Sequence, residues 1–193
     1  GKAAHAGTHP RDGASAMVAL AHKIVAIHGL NDFDRGLTFN SIVTHGGTRS
    51  NIIPEHATAE IDIRLPTAAL GDEAIARLQA IVGKGHLSGT SAVLEGGVNR
   101  PPMETTPGTQ ALLAIASEVA STLRLPLKAT STGGGSDGNF VTPLGVPVLD
   151  GLGAVGGAYH SSDEWLDLSS IPQRAALTAL LVWEACRRGE FVR

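Results

Sequence analysis

Residues 57–64, Ala57-Thr58-Ala59-Glu60-Ile61-Asp62-Ile63-Arg64, decide the fold of the first half of this chain. Apolar side chains at 57, 59, 61 and 63 alternate with polar ones at 58, 60, 62 and 64. A period of two sends successive side chains to opposite faces, so this is a strand with one buried face. Pro66, which has no N–H to offer a ladder, stops it. Upstream, 37–44 reads as a second strand, Gly46-Gly47 as its turn or bulge, and 48–54 (TRSNIIP) as a loop. Earlier still, Met17, Leu20, Ala21, Ile24 and Ile27 share one face of a helix over 14–28, with Asp12 or Ser15 as its cap and Gly29 as its stop. Residues 2–5 end a short strand ahead of a turn cluster over 8–13 that holds Pro10. Downstream, 72–82 is a helix with Ile75, Leu78 and Val82 inward, and 91–98 a fourth, weaker strand. The order β-α-β-β-α-β is the ferredoxin-like arrangement, two helices on one face of an antiparallel sheet. It closes an α+β domain over residues 1–99.

Residues 99–107 (NRPPMETTP) are proline-rich and read as a linker. Beyond them come a helix over 110–123, a strand over 127–131, a loop with Gly133, Gly134 and Gly135, a helical turn from Gly138, and a strand over 146–149. A loop then presents His160. The last helix has Ser169 or Ser170 as cap and Pro172 in its first turn, and turns Ala176, Leu177, Leu180, Leu181 and Ala185 inward. Two strands make a poor sheet. Residues 100–193 therefore read as the end of an α/β domain whose beginning lies elsewhere. The opening GKAAHAG, which starts in mid-strand without a methionine, agrees with a piece of a longer protein.

Bulk properties narrow the classes. Of the 193 residues, 42% are hydrophobic, enough for a core, and the formal charge of −3 leaves no basic footprint for nucleic acid. No apolar run reaches the roughly 20 residues that span a bilayer. One cysteine, Cys186, permits no internal disulfide. A cytoplasmic location fits; a periplasmic or secreted one stays open.

Among eight histidines, His22 and His28 on the first helix, and His45, His56 and His86 in loops or at strand ends, read as surface residues. His5 (AAHAG) and His160 (GGAYHSS) differ, because each stands among glycines and small residues. No HExxH, CxxC or close His/Asp cluster occurs, so a complete zinc site is hard to assemble from this chain. GGGSDG, residues 133–138, lacks the lysine of a phosphate-binding P-loop and reads as a plain turn or as an anion site. Ser136 is not in a GxSxG elbow. Arg64 either pairs with Asp62 and Glu60 on the wet face of its strand or clamps a carboxylate.

GKAAHAGTHPRDGASA (1–16), GGTRSNIIPEHATAEIDIR (46–64), TGGGSDGNF (132–140) and YHSSDEW (159–165) follow one another along the chain. Together they resemble the dimeric zinc aminoacylase and carboxypeptidase family. That family includes glutamate carboxypeptidase, acetylornithine deacetylase and succinyl-diaminopimelate desuccinylase; bacterial glutamate carboxypeptidase is nearest in character. The resemblance implies a catalytic α/β domain with two zinc ions, and an inserted ferredoxin-like lid that pairs with its twin. It implies that His160 ligates one zinc and that His5 reaches the partner's scissile carbonyl. Asn51 and Arg64 would hold the carboxylate end of a small amino-acid-like substrate, and the backbone of Gly134 and Gly135 would touch it. The family's other metal ligands and its catalytic glutamate precede the lid. The chain is then expected to be a lid, 1–99, followed by the C-terminal part of an α/β zinc-peptidase catalytic domain, 100–193, inactive alone. Strand 37–45, flanked by helix 14–28, is the expected homodimer edge. No nucleic acid or membrane partner is expected. A reading of another class is a non-catalytic dimerisation or binding module that keeps the lid; a nucleotide site at GGGSDG is the poorest fit.

Overall fold

The computed structural model describes residues 1–189 and divides after Pro102 into two units. In the first, the elements run β1 (Ala4–His5), α1 (Ala16–His28), β2 (Thr38–Gly46), β3 (Ile52–Ile53), β4 (Ala57–Arg64) and α2 (Ala68–Gly83). The alternation in 57–64 is realised: the four apolar positions of β4 are half-buried and the four polar ones exposed. β2 and β4 pair antiparallel from Thr38 opposite Arg64 to Gly46 opposite Ala57, with a bulge between Val43 and His45. Both helices cover one face of this ribbon. Ile27 of α1, Leu37, Phe39 of β2, and Ala74 and Leu78 of α2 form the core, with Ile61 and Ile63 of β4 against it.

Side chains start both helices. The Ser15 hydroxyl accepts from the Val18 amide at 3.2 Å, and the Thr67 hydroxyl from the Leu70 amide at 3.3 Å. Each satisfies a donor that the first helical turn leaves without a partner. Thr67 also explains why α2 begins four residues before the expected 72, directly after Pro66 has ended β4.

Three sequence expectations change here. The inner face of α1 runs through Ala19, Lys23 and Ile27, and Ala21 is exposed. A lysine is tolerated inside because its ammonium donates to the carbonyls of Ile81 (3.1 Å), Val82 (2.8 Å) and Lys84 (2.9 Å) at the end of α2. The TRSNIIP loop contains β3, which pairs antiparallel with β1. Residues 91–98 form no ladder; Leu94 leans on the core, but Gly96, at φ 100°, turns the chain out of its extended course. Among the described residues the helix-covered sheet thus has two strands. The layering is α+β, and the ferredoxin-like order is not completed.

The second unit contains α3 (Pro107–Thr122), α4 (Gly138–Val141), β5 (Gly156–Gly157), β6 (Trp165–Leu166) and α5 (Ser170–Arg188). The Thr106 hydroxyl caps α3 by accepting from the Thr109 amide at 3.1 Å, with Pro107 in the first turn. Ile115, Ala116, Val119 and Ala120 of α3 bury against Leu177 and Leu181 of α5. Two alanines in this seam leave little side-chain bulk between the helix backbones. Leu180, expected inside, is exposed. Ser169 stands at the N-cap of α5 without capping it; its amide and hydroxyl donate to Asp167 Oδ1 at 2.9 and 2.6 Å. The strands expected at 127–131 and 146–149 pair with nothing among the described residues. Leu127 and Leu149 lean on the helix core instead.

Candidate functional site

His5 is exposed, yet its ring is fixed. Its Nδ1 accepts from the amides of Gly7 and Thr8, both at 3.1 Å. A neutral imidazole that accepts at Nδ1 carries its proton on Nε2. The side chain therefore presents one N–H donor outward. The β1–β3 ladder places His5 opposite Ile52, and the Ala6 amide donates to the Asn51 carbonyl at 2.9 Å. Gly13 permits this close packing, since a Cβ there would lie 2.7 Å from Ile53 Cδ1. The fold thus brings His5 and Asn51 together.

Arg64 is elsewhere. It ends β4 opposite Thr38, whereas the other end of β4, Ala57, faces Gly46. Seven residues of strand, at about 3.3 Å each, separate the two ends by about 23 Å. The β1–β3 pair belongs to the Ala57 end: α1 starts there, its Ala16 amide donating to the Pro54 carbonyl at 2.8 Å. Within one lid Arg64 cannot share a small ligand with His5. Its guanidinium lies 2.6 Å from Asp62 Oδ2, an exposed pair of small intrinsic stability.

In the second unit, Gly134 and Gly135 lie in the loop between α3 and α4. The Gly134 amide donates to the Thr132 hydroxyl at 3.1 Å. The loop is pinned at its end: the Ser136 amide donates to buried Asn139 Oδ1 at 2.8 Å, and the Gly138 amide to Ser136 Oγ at 3.1 Å. His160 sits in the loop between β5 and β6. Ala158 and His160 both adopt left-handed backbone, φ 56° and 63°. Non-glycine residues in that region are uncommon and cost about 1 kcal/mol or more each, and such positions cluster at functional sites. Two bonds hold the loop, Ser161 Oγ donating to Ala158 O at 2.7 Å and Tyr159 Oη to Gly156 O at 3.3 Å. At its base Gly157 lies against the indole of Trp165; a Cβ there would be 2.9 Å from Nε1. Asp167, just beyond β6, is held below the usual carboxylate range by its bonds from Ser169.

His160 is exposed, and its ring makes no hydrogen bond among the described residues. No group of three His, Cys, Asp or Glu side chains among those residues stands ready for a metal ion. A zinc site takes three or four protein ligands. The described residues do not by themselves fit one. Among the described residues no helix is long and apolar enough to cross a membrane.

The family described as the peptidase dimerisation domain matches residues 1–90. Those residues belong to the M20 peptidase dimerisation domain. Carboxypeptidase G2 of Pseudomonas sp. (strain RS-16) is 31% identical to the chain over 189 residues, 95% of this chain and 45% of that protein. A succinyl-diaminopimelate desuccinylase of Delftia acidovorans is 30% identical over 128 residues, 66% of this chain and 32% of that protein. Aminopeptidase PepT of Bacillus cereus shares the fold, with a TM-score of 0.74 at 21% identity over 96% of this chain and 49% of its own. The chain spans about half the length of the first curated relatives it matches.

The M20 dimerisation domain also contains two features that reading the sequence missed. Buried Lys23 had a signal, since it stands four residues from both Ala19 and Ile27 on one helical face. Arg49, on the turn that leads into β3, lies inside the GGTRSNIIP stretch, but no period sets it apart there.

Proposed function

We propose that this chain is the dimerisation lid and C-terminal catalytic-domain portion of a metal-dependent amidohydrolase or carboxypeptidase. Its substrates are N-acyl amino acids or peptides with a free carboxylate. The lid spans residues 1–99, and the chain is inactive by itself. The observation that carries this reading is the fixed tautomer of His5, whose Nδ1 is occupied by two backbone donors. Its Nε2–H can donate to a carbonyl oxygen as negative charge builds there. Such a donor, already oriented, costs no reorganisation during reaction.

The separation of His5 from Arg64 within one lid supports a reading in which they serve different sites. In a two-fold dimer, one copy supplies His5 and Asn51 to a substrate whose carboxylate is gripped by Arg64 of the other copy. That grip requires the guanidinium to leave Asp62. Self-association through β2 is supported by its second edge, which is unpaired among the described residues, and by exposed Ile42 and Val43 on it. Val18 and Val25 extend the apolar surface along α1. An open strand edge is a ready template for a second copy.

His160 is proposed as one metal ligand, the remaining ligands lying outside this chain. Zinc, when held by the whole protein, supplies an activated water. Segments 127–131 and 146–149 fit this reading, since neither has a ladder partner among the described residues.

Subunit mixing in the full-length protein tests the proposal. His5→Gln should lower turnover by about 10²–10³, the usual loss for one oxyanion donor, with metal content unchanged. His160→Ala should lower metal content and turnover together. A mixed dimer of the two variants holds one site with an intact His160 and the partner's intact His5, so mixing should restore activity. If heterodimers form and restore nothing, His5 does not act across the interface. If the unaltered protein cleaves no amide at all, the lid serves self-association alone.

A further inference from the structure

Residues 84–90 leave the end of α2 and run back along α1, tied to it and to the residue before its cap at three points. At the first, the Lys23 ammonium donates to the carbonyls of Ile81, Val82 and Lys84. At the second, the His86 ring lies on that of His22, with centroids 5.4 Å apart and planes 8° from parallel. At the third, Gly89 lies against buried Ala14, where a Cβ on Gly89 would stand 3.0 Å from that of Ala14. Gly89 also needs left-handed backbone, at φ 77°. The three ties are compatible in length: α1 rises about 9 Å from His22 back to Ala16, and three residues of chain reach at most about 10 Å. Thr90 closes the segment, its amide and hydroxyl donating to the Leu87 carbonyl at 3.2 and 2.6 Å. Ala14 leads on to His5. Ala14 and Lys2 exchange two backbone hydrogen bonds of 2.9 Å, and Lys2 stands two residues before β1, which ends in His5.

The middle tie is the one that can be switched. Both rings are exposed, so protons reach them directly from water. The charged groups that act on His86 are all bases: His22 and Lys23 from α1, and Lys84 from the end of α2. A proton on His86 therefore places a cation among cations, which a neutral stack avoids. Two unit charges 5.4 Å apart repel enough in water to shift an equilibrium about 4-fold, and more where the rings exclude water. We propose that residues 84–90 are a pH-sensitive strap: closed while His22 and His86 stack as neutral rings, it holds Ala14 and β1, and with them His5, and it lifts when the stack is protonated. The strap acts within the lid whatever reaction the whole protein carries out.

Amide hydrogen exchange of the full-length protein tests this, measured at about pH 7.5 and about pH 5.5 to span the histidine range. Rates are corrected for the intrinsic pH dependence of exchange. Peptides covering 84–90 read the strap, and peptides covering 1–16 read Ala14 and β1. Protection in both should fall about 4- to 10-fold at the lower pH. His86→Phe keeps a flat ring on His22 but takes no proton, so its protection should change by no more than about twofold over the same range. His86→Gln removes the stack and should likewise lose the pH response. Gly89→Ala pushes the segment off Ala14 and should leave 1–16 poorly protected at both pH values. If His86→Phe and His86→Gln respond to pH as the unaltered protein does, protonation of the stack is not the trigger and the proposal falls. It falls equally if 84–90 opens at low pH while 1–16 stays protected, or if Gly89→Ala leaves 1–16 unchanged, because the strap then does not hold β1.

Discussion

Replacing Lys23 by methionine keeps the side-chain stem and removes only the ammonium. In the native lid that ammonium is buried at the α1–α2 contact and donates to three carbonyls, those of Ile81, Val82 and Lys84. Hydrogen bonds from a charged donor contribute about 1.5–3 kcal/mol each. A cation at a helix C-terminus adds about 0.3–1 kcal/mol. Against this stands the cost of taking an ammonium out of water, several kcal/mol even after relaxation. Water reaches part of the freed carbonyl edge in the variant, because Gly83 and Lys84 are exposed. The balance is a loss of about 2–3 kcal/mol for Lys23→Met. Urea unfolding followed by circular dichroism should show it as a lower midpoint with an unchanged slope. Amide exchange should speed up most in the last turn of α2. A loss below about 0.5 kcal/mol, with that turn as protected as before, would refute the reasoning: the ammonium would then recover no more from its three carbonyls than it loses in leaving water.

Other expectations follow from separate features. Gly157→Ala drives a methyl into the Trp165 indole; it should disrupt the β5–β6 pair and lower metal content in the full-length protein without altering any ligand, whereas unchanged loading would show that the loop position does not depend on this contact. His86 stacks on His22 with ring centroids 5.4 Å apart, and desolvation, then the charges of Lys23, His22 and Lys84, push its pKa down. Because the folded value lies below the unfolded one, about 6.5, stability from this group is complete above that pH and is lost as pH falls through the folded value. Unfolding between pH 7.5 and 5 should therefore grow easier, and less so in His86→Gln; identical pH profiles would remove His86 from the account. Ile42→Asp on the open edge of β2 should convert a sedimenting dimer to monomer at micromolar concentration, and a persistent dimer would place the interface elsewhere.

The sequence by itself determined whatever depends on near neighbours. The alternation in 57–64 and the ends imposed by Pro66 and Gly29 survive in the structure, because periodicity and capping act within a turn or a strand, while the helix faces survive only in part, with Ala21 and Leu180 exposed. The stretches around His5, Asn51 and His160 stood out through their resemblance to a family, not through any period. Tertiary structure decided what depends on partners far along the chain. Residues 91–98, 127–131 and 146–149 have the composition of strands, but a strand exists only through a ladder, and among the described residues none pairs with them. β3 is the converse: two residues carry no readable period, yet β1 lies alongside them. Lys23 is buried because its acceptors, 58 to 61 residues away, fold back onto it. The same reason governs the site. His5, Asn51 and Arg64 look like one set in sequence, but antiparallel register sends Arg64 to the far end of β4 and brings Asn51 and Arg49 to the His5 end.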